Sequence, residues 1–206
     1  MVPSEENVTL ADIGRDLARI RRVLVSTAAL LFALEVLSWF LPIDAFGIRP
    51  RETIGLIGIV TSPLLHGSFA HVLGIVIALM IFGAMIAFKE ERDLYLTTLV
   101  SIFVGGLGVW LLAGAGNHIG ASGVVFGLFG YLISSGIFQR RIGGSLLSVF
   151  VFLGWGTMLF GVLPGQLGIS WEGHLFGFGA GVLSAWSSAR WTRRATPKSA
   201  SRVGRP

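Results

Sequence analysis

Long apolar runs, broken by short polar clusters, organise the chain. Six of them meet or approach the roughly 20 residues needed to cross a bilayer. They are Val23–Leu41, Phe69–Phe88, Leu94–Ala113, Ser122–Phe138, Leu146–Leu163 and Trp171–Ala189. A seventh, Thr53–Leu65, is too short to span and contains Pro63, so it is expected in or on the interface within a long first loop. The pattern predicts an all-α, polytopic membrane protein. Residues 1–22 form a charged segment, 23–189 the membrane domain and 190–206 a basic tail expected to be disordered. The first segment carries Glu5, Glu6, Asp12 and Asp16, then Arg15, Arg19, Arg21 and Arg22, and predicts a short water-facing helix. No cleavable signal peptide is expected, because the first run is long and no small-residue cleavage site follows it.

Composition strengthens this reading. The chain is 53% hydrophobic and 13% charged, against about 25% charged in soluble domains. A charge at mid-membrane costs about 2.5–3.5 kcal/mol even on lenient scales, which explains the long uncharged stretches. Cysteine is absent, so disulfides, thiolate metal sites and cysteine nucleophiles are excluded. The net charge of +5 does not point to nucleic acid, since the basic residues flank apolar runs. If the N-terminus is cytoplasmic, only Arg49 and Arg51 of the 16 Lys and Arg residues lie outside. Both termini are therefore expected in the cytoplasm, with the protein in the bacterial cell membrane. Trp39, Trp110 and Trp171 near outer helix ends, and Trp186 and Trp191 near the inner end, fit aromatic belts.

This topology starts the second, fourth and sixth helices at the outer face. His71, Ser122 and His174 then share one depth. Ser122 lies in Gly-Ala-Ser-Gly, residues 120–123, where a helix start offers N–H donors to an oxyanion. Alone, that short motif more often means helix packing. Gly177 and Gly181 share a face with His174, and Gly123, Gly127 and Gly130 give the fourth helix a matching smooth stripe. Two such helices in contact would bring Ser122 to His174.

Other polar residues receive plainer readings. His66 and His71 would point about 140° apart on a helix and lack the zincin spacing, so no metal site is assigned. His66, in the loop, is expected to be structural, and His118 a loop histidine at the membrane surface. Glu35, near the middle of the first run, is read as a neutral, hydrogen-bonded acid. Glu172 is not assigned as a third catalytic member.

Taken together, these positions resemble the rhomboid intramembrane serine proteases. The resemblance rests on His66-Gly-Ser-Phe-Ala-His71, Gly120-Ala-Ser-Gly123-Val-Val-Phe-Gly, and His174-Leu-Phe-Gly177 with Gly181. It implies a six-transmembrane-helix rhomboid-like bundle with a Ser122–His174 dyad and no acid. Ser122 N–H and His71 would hold the oxyanion. Gly120, Gly123, Phe126, Gly177 and Gly181 would support the site. It implies transmembrane protein substrates cut near the outer face, and no cofactor or metal. Two positions depart from the family pattern. Ile75 stands where an asparagine is expected, and Phe126 where tyrosine is frequent. A catalytically silent rhomboid-like protein that binds membrane helices is therefore the main alternative, with Ile75 its best support. A small transporter or channel has only Glu35 in its favour. Oligomeric state is not legible.

Overall fold

The computed structural model describes residues 9–166 and 168–195. The expectations for Glu5 and Glu6, and for Lys198, Arg202 and Arg205 in the tail, lie outside the described residues. Six long helices are found among those described: α1 Leu10–Ser38, α2 Phe69–Ala87, α3 Glu91–Leu112, α4 Ser122–Gln139, α5 Ile142–Val162 and α6 Trp171–Ala195. Helices α2 to α5 are each long and apolar enough to cross a membrane. Helices α1 and α6 have the length, 29 and 25 residues, but are more polar. Glu172, His174 and three arginines near its end, together with glycines packed on α4, lower the apolarity of α6.

Local chemistry accounts for the helix ends. Ser68, in extended backbone, caps α2 by accepting the His71 N–H at 3.2 Å. Glu91 and Asp93 occupy the first turn of α3, and Arg193 and Arg194 the last turn of α6, each favourable to the helix dipole. Helix α1 runs unbroken from Leu10 through residue 22 into the first apolar run. It stops at Ser38, short of the expected Leu41, since Pro42 disfavours helical backbone in the residue before it. Glu35 thus sits in the last turn rather than the middle of α1. It is buried, and its Oε2 has no hydrogen-bond partner, contrary to the expected satisfied acid.

Helix α4 is the centre of the bundle: 67% of its apolar window is buried, against 11% for α5. Its closest partner is α6, and the contact is backbone to backbone. A Cβ at Gly177 would lie 2.0 Å from the Gly123 carbonyl oxygen, and one at Gly181 would lie 1.9 Å from that of Gly127. The predicted glycine stripes are therefore the joint between these helices. Thr53–Leu64 forms the short apolar helical segment expected within the loop. That loop is tied to the approach of α4 by paired backbone bonds of 2.9 Å between Ile48 and His118. Helix α3 widens into a π-helical stretch over Ser101–Gly105, where it meets α6.

Candidate active site

Ser122 is the first residue of α4. The N–H groups of a helix's first turn have no acceptor within the helix, so Ser122 and its neighbours present free donors at the end of α4. The turn before it is held from behind. Gly120 N–H donates to the Ser62 carbonyl at 2.8 Å, and Ala121 N–H donates to His66 Nε2 at 3.3 Å. Gly120 has φ +113, a left-handed conformation suited to glycine. A Cβ there would sit 3.2 Å from His71 Cε1, 3.7 Å from His71 Nε2 and 3.8 Å from Ser122 Oγ. The histidine and the hydroxyl therefore flank one point beside Gly120.

His174 lies in the first turn of α6 and is buried. Its ring stacks on Phe126, with centroids 4.0 Å apart and planes 10° from parallel. Phe126 is one helical turn after Ser122, so the imidazole lies on the Ser122 face of α4. His174 Nδ1 is 3.0 Å from the Gly161 carbonyl oxygen. A carbonyl only accepts, so Nδ1 carries a proton, and in the neutral ring Nε2 keeps its lone pair. Gly161 thus orients a basic nitrogen, and nothing in its sequence context announced this. Among the described residues Ser122 Oγ makes no hydrogen bond, including none to His174. Stacking and helix register bring the pair to one face without closing that bond.

His66 precedes α2, in the loop where it was expected, so the helical angle does not apply. The rings of His66 and His71 meet edge to face at 5.4 Å. His66 is 1% exposed, and burial, aided by nearby His71, pushes it down to about 4. It is therefore neutral at pH 7, as accepting the Ala121 N–H requires. Ile75 is buried in the apolar core with Val72, Val76, Ala121 and Val125. His118 bonds Ser170 Oγ at 2.7 Å and the Gly114 carbonyl at 3.1 Å. Glu172 accepts the Gly114 N–H at 3.1 Å and so braces the same loop.

Two cavities adjoin the site. One of about 490 Å³ opens beside His71 and is lined by Asn117, His118, Ser170 and Glu172. A smaller one of about 50 Å³ lies against Ser122, with Ser62, Ser101, His118 and Ser170 on its walls. A water site needs roughly 10–15 Å³ by this measure, so the smaller cavity has room for a few. Ser101 Oγ is buried there without a protein partner. Sequence reasoning had no reason to single out Ser101, since the π-helical stretch that carries it has no composition signal.

The rhomboid domain profile matches residues 54–191. An uncharacterized protein of Mycobacterium tuberculosis is 33% identical over 196 residues, spanning 89% of this chain and 82% of the relative. One of Mycobacterium bovis has the same identity and coverage. One of Mycobacterium leprae is 36% identical over 170 residues, or 77% of this chain and 67% of the relative. With four apolar helices of spanning length and a domain match over most of its length, this chain is an integral membrane protein of the rhomboid family.

Proposed function

We propose that the protein is an intramembrane serine endopeptidase that cleaves transmembrane protein substrates through Ser122 and His174. The observation that carries this reading is the placement of His174 between the Gly161 carbonyl and the Phe126 ring. Its Nδ1–H is held by Gly161, its ring lies on Phe126, and Nε2 is left as the base. Ser122 Oγ attacks the scissile carbonyl carbon, and its proton passes to Nε2. The carbonyl oxygen becomes an oxyanion that accepts from Ser122 N–H and from His71. Nε2–H then protonates the leaving amine, giving an acyl-enzyme that water hydrolyses with His174 again as base. Polar walls around the two cavities favour water at this depth. A substrate helix has its backbone groups paired, so it must unwind locally before attack.

In this reading all six long helices cross the membrane, with both termini cytoplasmic and the site near the outer face of the bacterial cell membrane. The Lys and Arg distribution supports that orientation. A second reading, a weakly active or silent relative that binds membrane helices, is favoured by Ile75. An aliphatic chain there supplies no oxyanion donor, and losing one donor costs about 10²–10³ in rate.

A fluorophosphonate probe on the purified protein separates the two. The protease reading expects covalent labelling of the wild type, none of Ser122→Ala, and matching cleavage of a model transmembrane substrate. A wild type that neither labels nor cleaves would leave only the helix-binding reading.

A further inference from the structure

At the end of the bundle opposite Ser122, the α2–α3 turn, the α4–α5 turn and the last turns of α6 enclose a polar cavity of about 160 Å³. Asp93 and Ser188, both buried, line it. Asp93 accepts from the hydroxyls of Tyr131 and Ser188 and pairs with Arg92 at 3.1 Å. Its charge is therefore already matched. Lys89, Arg141 and Arg193 also line the cavity, and Glu90 is the other acidic residue facing it. Lys89 Nζ is anchored 3.2 Å from Ser135 Oγ, and Arg193 donates to the Phe138 carbonyl. Each keeps further donors for a ligand.

A second cavity, a groove of about 320 Å³, shares Arg193 with the first. Ile137, Phe138 and Trp186 form its apolar side, and Arg140 and Arg190 its basic rim. Ile137 is 71% exposed, and Arg190 stacks on Trp186 at 3.8 Å. Arg140 has φ +52, in the left-handed region where a helix end usually carries glycine. This backbone turn places consecutive arginines in different cavities, Arg140 in the groove and Arg141 in the polar pocket.

We propose that the joined cavities bind an anionic phospholipid. The phosphate lies among Lys89, Arg141 and Arg193, and an acyl chain follows Ile137 and Trp186. The cationic excess disfavours a metal ion and gives an ammonium-bearing headgroup no partner beyond Glu90. The apolar groove beginning at Arg193 favours a lipid over a free anion of the same phosphate chemistry. Basic pockets at the ends of membrane helices provide this kind of recognition. The polar network under the cavity joins α3, α4 and α6, so a bound lipid braces the helix pair that carries Ser122 and His174.

The test is native mass spectrometry of the full chain released from detergent, titrated separately with phosphatidylglycerol, phosphatidylcholine and inorganic phosphate. We expect a single saturable phosphatidylglycerol adduct, with phosphatidylcholine at least tenfold weaker and inorganic phosphate unable to displace it at equal concentration. Replacing both Arg141 and Arg193 by Gln should weaken phosphatidylglycerol about 25-fold, from roughly fivefold per arginine. The corresponding Lys pair should lose less than threefold. Arg21→Gln with Arg22→Gln serves as a control of equal charge change outside the cavities and should leave affinity unaltered. Equal binding of the two lipids, displacement by phosphate, or equal losses in the control and the Arg141/Arg193 variant would overturn the proposal. A Gln pair that fails to fold transfers the decision to the Lys pair and the two competitors.

Discussion

Helices α4 and α6 touch along their whole shared length, yet their two ends are built on opposite plans. At the Ser122 end the contact is glycine backbone, and the polar groups are left with spare valences. Ser122 Oγ has no partner among the described residues, His174 Nε2 keeps its lone pair, and the first turn of α4 keeps its free N–H groups. At the Asp93 end the side chains satisfy one another: Tyr131, Ser188 and Arg92 converge on one carboxylate, and Gln139 donates to Tyr131 at 3.3 Å. Buried polar groups that are fully paired hold helices together, whereas unpaired ones are costly and cluster where chemistry is done. The contrast separates a structural end from the proposed reactive one along a single helix pair.

The largest effect should come from breaking the reactive end. His174→Ala is expected to lower cleavage of a model substrate by about 10³-fold or more, with thermal unfolding in detergent little changed. A variant that kept wild-type cleavage would remove the base from His174. At the other end the expectation reverses. Asp93→Ala strands the hydroxyls of Tyr131 and Ser188 and should cost about 1–3 kcal/mol for each left unsatisfied. Its remaining folded fraction should still label with a fluorophosphonate, and undiminished unfolding temperature would show that the network holds nothing together.

Ile75→Asn sharpens the comparison by adding a donor at the reactive end. It should raise turnover about tenfold or more if the side chain reaches the oxyanion. Ile75 is buried among apolar residues, so a small loss of stability should accompany the gain. An unchanged rate would mean that the position is remote from the reacting carbonyl.

The smallest effect concerns pH. His66 is held at about 4 against 6.5 for an ordinary histidine. As pH falls from 6.5 to 4 the unfolded chain binds the proton first, so the stability this histidine contributes above 6.5 is progressively lost. Protonated Nε2 also releases the Ala121 N–H, loosening the turn before Ser122. Unfolding temperatures at pH 7 and pH 5 should therefore differ more for the wild type than for His66→Gln. Equal pH dependence would take His66 out of this role.

Much of the architecture was legible because lipid imposes it locally. A span must be long and apolar wherever it lies in the sequence, so the runs that became α2 to α5 could be bounded within a few residues. The glycine stripes were legible for a similar reason, since residues on one helical face recur at set intervals. Glu35 was placed less well. Its place depends on where α1 stops, and Pro42 decided that more sharply than hydrophobicity could.

Ser122, His71 and His174 were marked as candidates by sequence alone, because topology gave them a common depth. Gly161 and Ser101 were invisible. Gly161 acts through a backbone carbonyl, which every residue has, and Ser101 through a local π-helical stretch. Likewise, Lys89, Arg141 and Arg193 read only as orienting charges on three separate stretches of chain. By itself the sequence determined a membrane bundle, its likeness to the rhomboids and the candidates Ser122, His71 and His174. Only the tertiary structure decided which nitrogen of His174 meets the Gly161 carbonyl, which end of the α4–α6 pair is satisfied, and which arginines share a cavity. Those outcomes depend on distances between groups far apart in the chain, which spacing along it does not encode.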